Sequence, residues 1–149
     1  MNSIPGKILN RNKKIIDQKN NPILEIKNIS KSYDTLACDN VSFDLFSNQI
    51  IGIVGESGSG KTTISNLILR LIEPSTGNIL YNGKNIFDFN KKDLLNFRRK
   101  VQVVFQDPYA SLNPTMNVFD IVSEPWSIHS DFLDKKFYED RISELLVSV

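Results

Sequence analysis

The stretch GESGSGKT, residues 55–62, constrains this chain more than any other. Four of its seven glycines lie within residues 52–60. Ahead of the loop, QIIGIV (49–54) is a nearly continuous β-branched run, the pattern of a strand buried on both faces. Behind it, Ile64, Leu67, Ile68, Leu71 and Ile72 recur at helical spacing as one apolar stripe, with Pro74 and Gly77 as stop signals. Strand, glycine loop and helix, in that order, form the setting in which G-x-x-x-x-G-K-[ST] cradles polyphosphate.

Each residue type in the loop has a chemical reason. Gly55, Gly58 and Gly60 let the backbone curl so that successive N–H groups point inward as an anion nest. Glu56, Ser57 and Ser59 are the variable positions and contribute mainly backbone. The helix that follows adds the positive end of its dipole. Lys61 is placed to reach β- and γ-phosphates as a point charge, and the Thr62 hydroxyl to ligate Mg²⁺ bridging them. Thr63 offers a further hydrogen bond, to the α-phosphate. The pattern therefore reads as a nucleoside triphosphate site rather than a glycine-rich turn.

The remainder sets the frame. The chain has 149 residues, 40% apolar and 23% charged, with net charge +1, which suits one soluble domain and projects no global field toward nucleic acid or an anionic membrane. Residues 1–22 are polar and aperiodic and read as a tail. It is locally basic (Lys7, Arg11, Lys13, Lys14 and Lys19 against Asp17), as befits a solvated terminus, with contact to lipid headgroups or RNA as the other reading. The lone Cys38 excludes an internal disulfide and fits a reducing compartment. No apolar run reaches the length of a membrane span, and no signal-peptide pattern opens the chain, so a cytosolic product is expected.

ILEIKNI (23–29) and VSFDLF (41–46) alternate as half-buried antiparallel strands. Residues 77–86 form a hairpin turning at Asn82-Gly83, NKKDLLNFRRK (90–100) a basic helix, and VQVVF (101–105) a second buried-type strand. A turn-rich connector follows, then helices over 118–124 and 135–149. On the last, Tyr138, Ile142, Leu145 and Val149 share a face.

From about residue 23 onward the chain resembles the nucleotide-binding subunit of ABC transporters. LEIKNISKSY followed by VSFDL is similar to that family's opening strands, with Tyr33 where an aromatic stacks on adenine. Unaided, Tyr33 would read as a packing tyrosine. VQVVFQDPYASLNP and EPWSIH resemble the Q-loop region of the peptide, dipeptide and nickel importer branch. Gln106 there stands at a strand end, where side chains face the ligand crevice in open α/β sheets. By itself it is a polar strand terminus.

The resemblance implies an α/β P-loop NTPase fold of the ABC ATPase type. It is expected to be incomplete: antiparallel strands, part of the core sheet, and the start of a helical subdomain from about residue 107, all within a 23–149 domain. It implies ATP and Mg²⁺ as ligands, Lys61 and Gln106 as catalytic residues, and Thr62 and Gln106 at the metal. Implied partners are transmembrane permease subunits, a second ATP-binding subunit in a homo- or heterodimer and, indirectly, a solute-binding protein, with no nucleic acid. The implied location is cytoplasmic, peripheral on the inner face of the membrane.

Hydrolysis in that family also needs an aspartate–glutamate pair after an apolar strand, a glycine-containing signature loop and a later histidine. Neither the pair nor the loop follows Gln106, and so no histidine stands behind them: NVFDIV has no directly following glutamate, and SELL lacks glycines. The expectation is a fragment ending inside the helical subdomain, unable to hydrolyse ATP alone, with strands 50–54 and 101–105 lacking neighbours and exposing apolar faces. The alternatives are a non-hydrolytic nucleotide-binding module, a non-functional product of a disrupted gene, or an ABC-type ATPase acting on ribosomes or DNA.

Overall fold

A computed structural model of the chain describes residues 7–10 (backbone only), 21–107, 109–129 and 131–149. Most of the expected tail, residues 1–6 and 11–20, lies outside the described residues. Contacts divide the chain into two units, Met1–Val103 and Val104–Val149.

The first unit is built on a four-stranded antiparallel sheet. Strands β2 (Leu24–Ser32) and β3 (Leu36–Leu45) pair with each other, β2 also pairs with β5 (Thr76–Tyr81), and β5 pairs with β6 (Lys84–Asn85), giving the order β3-β2-β5-β6. The β5–β6 turn carries positive φ at both Asn82 and Gly83, as the hairpin dipeptide predicts. In β2 a bulge interrupts the alternation: Asn28 sits at φ 51 and the β3 register shifts between Ile26 and Ile29. Asparagine tolerates that conformation. The bulge leaves Leu24, Ile26 and Ile29 all buried although they are not evenly spaced.

Helix α1 (Lys61–Ile68) buries Ile64 and Leu67 in the same core as Ile26, Ile29, Ile79, Ile86 and Phe97. Each such aliphatic side chain contributes about 1.5–3 kcal/mol on burial. The helix ends earlier than its apolar stripe. Arg70 adopts φ 52 and the Leu71 N–H reaches back to the Asn66 carbonyl, an αL termination. The Arg70 guanidinium holds the corner by donating to the carbonyls of Phe87 and Phe89, each at 3.2 Å. Helix α2 (Lys91–Lys100) is capped by Asn90, whose side chain accepts from the Asp93 N–H, and inserts Phe97 edge-on against Tyr81 and Phe89.

Three expectations change. Strand β4 (Ile51–Val54) alternates half-buried with exposed residues instead of being buried on both faces. It pairs antiparallel with β1 (Lys7–Asn10), so the expected tail contains a strand. Residues 101–105 form no strand, and Val104 is 94% exposed. A parallel-type strand is stabilised by hydrogen-bonded neighbours on its edges, and no partner pairs with 101–105 among the described residues.

The second unit is helical. Helix α3 (Val118–Ile128) starts at the Asn117 cap and continues past Glu124 through Pro125, because the following turn closes from the His129 N–H to the Pro125 carbonyl. A short 3₁₀ turn (Lys135–Phe137) leads into α4 (Tyr138–Val147). Tyr138 and Ile142 are buried as the helical spacing predicts, with Trp126 against Tyr138 at 5.1 Å, whereas Leu145 and Val149 are exposed.

Candidate functional site

The glycine loop leaves β4 at Gly55 and enters α1 at Lys61. A turn closes it where the Ser59 N–H donates to the Glu56 carbonyl at 3.2 Å. Gly58 and Gly60 both have positive φ, +80° and +89°. Around Gly58 the space is open. A Cβ at Gly60 would overlap the Ala37 carbonyl oxygen and stand 3.3 Å from Cys38 Cβ. The backbone of β3 is thus the wall against which the loop is pressed, and only glycine satisfies both the conformation and the contact. The sequence reading missed Ala37 and Cys38. Their signal was faint: two small residues where an alternating strand would place larger ones.

The start of α1 is left bare. Gly60 caps it without a side-chain hydrogen bond, and its first turn contains no acidic residue. By contrast, the side chains of Asn90 and Asn117 each accept one first-turn N–H, from Asp93 in α2 and Asp120 in α3, each with an aspartate in the first turn. Amides without a side-chain cap, together with the dipole, give α1 an anion-receiving end.

Lys61 lies across the loop. Its Nζ donates to the Gly55 carbonyl at 2.8 Å and the Glu56 carbonyl at 2.6 Å, with Ser59 Oγ at 3.5 Å. These bonds draw the carbonyls to the ammonium and keep the charge over the loop. The Thr62 side chain is exposed on the first turn of α1, and Thr63 is half-buried beside it. A hydroxyl oxygen is a hard donor of the kind Mg²⁺ prefers, so Thr62 fits the metal expected with a nucleotide.

Tyr33 stands at the tip of the β2–β3 hairpin, 58% exposed, where its N–H bonds to the Thr35 carbonyl at 3.0 Å. On the same hairpin Lys31 is in register with Cys38, which touches the loop at Gly60. The hairpin therefore joins the aromatic and the phosphate loop through one short path. Burial pushes the Cys38 thiol above the ordinary thiol value; the Lys31 backbone N–H opposes this shift and the Asp39 charge adds to it. Gln106 is exposed and belongs to the second unit, where the neighbouring Asp107 carboxylate accepts from the Tyr109 N–H at 3.0 Å.

A strand, a glycine loop with two positive-φ glycines, a lysine over its carbonyls and a helix without a side-chain cap define a P-loop protein of α/β architecture. Residues 38–147 match the ABC transporter family, and the chain belongs to it. It is 44% identical over 133 residues to the oligopeptide transport ATP-binding protein OppF of Bacillus subtilis, covering 85% of this chain and 44% of that protein. OppF of Streptococcus mutans is 42% identical over 130 residues, covering 83% of this chain and 42% of that one. The chain thus spans less than half the length of these relatives. Among solved structures it resembles cbiO1 from Clostridium perfringens, part of the ABC transporter complex cbiONQ, with a TM-score of 0.60 at 24% identity over 84% of this chain and 49% of that one. That likeness carries the fold.

Proposed function

We propose that this chain is the nucleotide-binding part of an ABC transporter ATP-binding subunit in the oligopeptide-importer branch, and that it holds Mg-ATP in the loop Gly55–Thr62. The geometry of Lys61 and the bare start of α1 carries this reading. Backbone amides of Gly58, Gly60 and Lys61 meet the phosphate oxygens, and Lys61 transfers its ammonium from the loop carbonyls toward the β- and γ-phosphates. Thr62 contributes a ligand to Mg²⁺, which when bound neutralises charge between those phosphates. Thr63 bonds the α-phosphate and Tyr33 stacks on the adenine. Gln106, by resemblance, reports on the metal and the attacking water.

Peptide is the proposed cargo, following the branch, with selection made by other subunits. The proposed partners are permease subunits and a second ATP-binding subunit. No helix among the described residues is long and apolar enough to cross a membrane, so attachment at the inner membrane face would run through the permease. The 149 residues contain no aspartate–glutamate pair after Gln106, so this polypeptide alone is expected to bind without turnover.

The test is thermal unfolding of the purified chain with and without Mg-ATP. At a nucleotide concentration a hundredfold above Kd, binding adds about 2.7 kcal/mol to stability. Lys61→Ala should abolish that gain. A variant that keeps it refutes the phosphate-site assignment.

A further inference from the structure

We propose that Lys31 is a positioning residue for the nucleotide base, acting through the ring of Tyr33; the proposal rests on the adenine-stacking reading of Tyr33. Beyond the Asn28 bulge, Ile29 and Lys31 stand at the two-residue spacing that puts side chains on one side of a strand, and Tyr33 follows directly after the end of β2 at Ser32. Ile29 is buried, Lys31 half-buried and Tyr33 exposed, so the series climbs from the core to the hairpin tip. The Lys31 ammonium sits over the Tyr33 ring, 5.1 Å from its centroid, inside the roughly 6 Å reach of a cation–π contact.

Two consequences follow for a base arriving on the open side of the ring. Contact with the ammonium restricts the ring before binding, which lowers the entropy lost when the base stacks. A cation over one face also draws π density toward itself, which makes the other face a better platform for an electron-rich purine. Lys31 is anchored for this task. Its backbone is paired with Cys38 in the hairpin register, and Cys38 lies against Gly60 of the phosphate loop. The lysine therefore sits at the joint between the base platform and the phosphate cradle, and its charge serves the former.

The experiment compares binding of Mg-ATP and of inorganic tripolyphosphate, which has no base, to the full chain by titration calorimetry. Lys31→Met should weaken ATP about two- to five-fold, the range of an exposed cation–π contact. The ratio of ATP to tripolyphosphate affinity should fall by the same factor, Lys31→Arg should restore it, and Lys31→Gln should repeat the methionine result. In a Tyr33→Leu background the Lys31→Met change should have no further effect. The proposal is overturned if tripolyphosphate loses as much as ATP, if the loss persists without the ring, or if ATP affinity is unchanged. A Tyr33→Leu variant that leaves the ratio intact sinks the stacking reading itself. A Tyr33 effect without a Lys31 effect sinks only this proposal.

Discussion

Replacing Gly60 by alanine tests how the loop is held. Two costs add at this position. A non-glycine residue at φ +89° pays about 1–2 kcal/mol for the left-handed conformation. Its Cβ would also collide with the Ala37 carbonyl, a backbone atom that cannot rotate away, so α1 or β3 must shift. Overpacking of that kind costs about 1–3 kcal/mol. Gly58→Ala is the matched control, because it has nearly the same φ and nothing within 4 Å of the new methyl. Both variants carry the conformational cost and only Gly60→Ala carries the collision. With about 4–8 °C per kcal/mol for a unit of this size, Gly60→Ala should melt at least about 4 °C below Gly58→Ala by circular dichroism. Equal midpoints would mean that the loop does not rest on β3, and the link from Cys38 to the phosphate site would fall with it.

Phe97→Ala removes a ring that is 2% exposed and meets Tyr81 and Phe89 edge-on, and should cost about 3–5 kcal/mol in denaturant unfolding, with α2 released first in hydrogen exchange. Arg70→Ala leaves two carbonyls without their guanidinium and keeps the positive φ, for a loss of about 1–3 kcal/mol; a neutral result would show that the corner is set without those bonds. Cys38 should alkylate far more slowly in the native chain than in urea, since burial both shields the thiol and raises its pKa. Because the folded-state value is raised, the corresponding stability is present below the ordinary thiol value and is lost as pH climbs through the folded value. A denaturation midpoint that rises over that alkaline window would contradict the shift.

What could be read from the sequence was what is decided locally. The phosphate loop, the Asn82-Gly83 turn and the onset of the basic helix are each specified by a few adjacent residues, and the structure places all three where their residue types require. The end of α1 was misread because apolar spacing continues through Leu71 and Ile72, while Arg70 turns the chain by bonding to carbonyls 17 and 19 residues away. No local signal announces such a bond. Pro125 misled in the opposite direction: a proline removes one donor, yet the helix runs on through it to Ile128 and closes where the His129 N–H donates to the Pro125 carbonyl. Within the candidate site, Lys61 and its glycines were legible, whereas the Ala37–Cys38 wall belongs to a strand 23 and 22 positions earlier and is visible only in three dimensions.

The apolar runs 51–54 and 101–105 show the same limit more sharply. Both sequences are equally β-branched and apolar, and periodicity alone gives them the same fate. They part because a strand is completed by what pairs with it. β4 finds Lys7–Asn10 in antiparallel register, Lys7 opposite Val54 and Asn10 opposite Ile51, and keeps its extended form as it delivers Gly55 to the loop. Residues 101–105 have no such pairing among the described residues, and Val103, Val104 and Phe105 stay exposed despite their composition. Backbone pairing rather than side-chain preference therefore decides which of these two apolar runs becomes a strand among the described residues. The run that pairs is the one that carries the glycine loop, which β4 and the buried face of α1 hold from both ends.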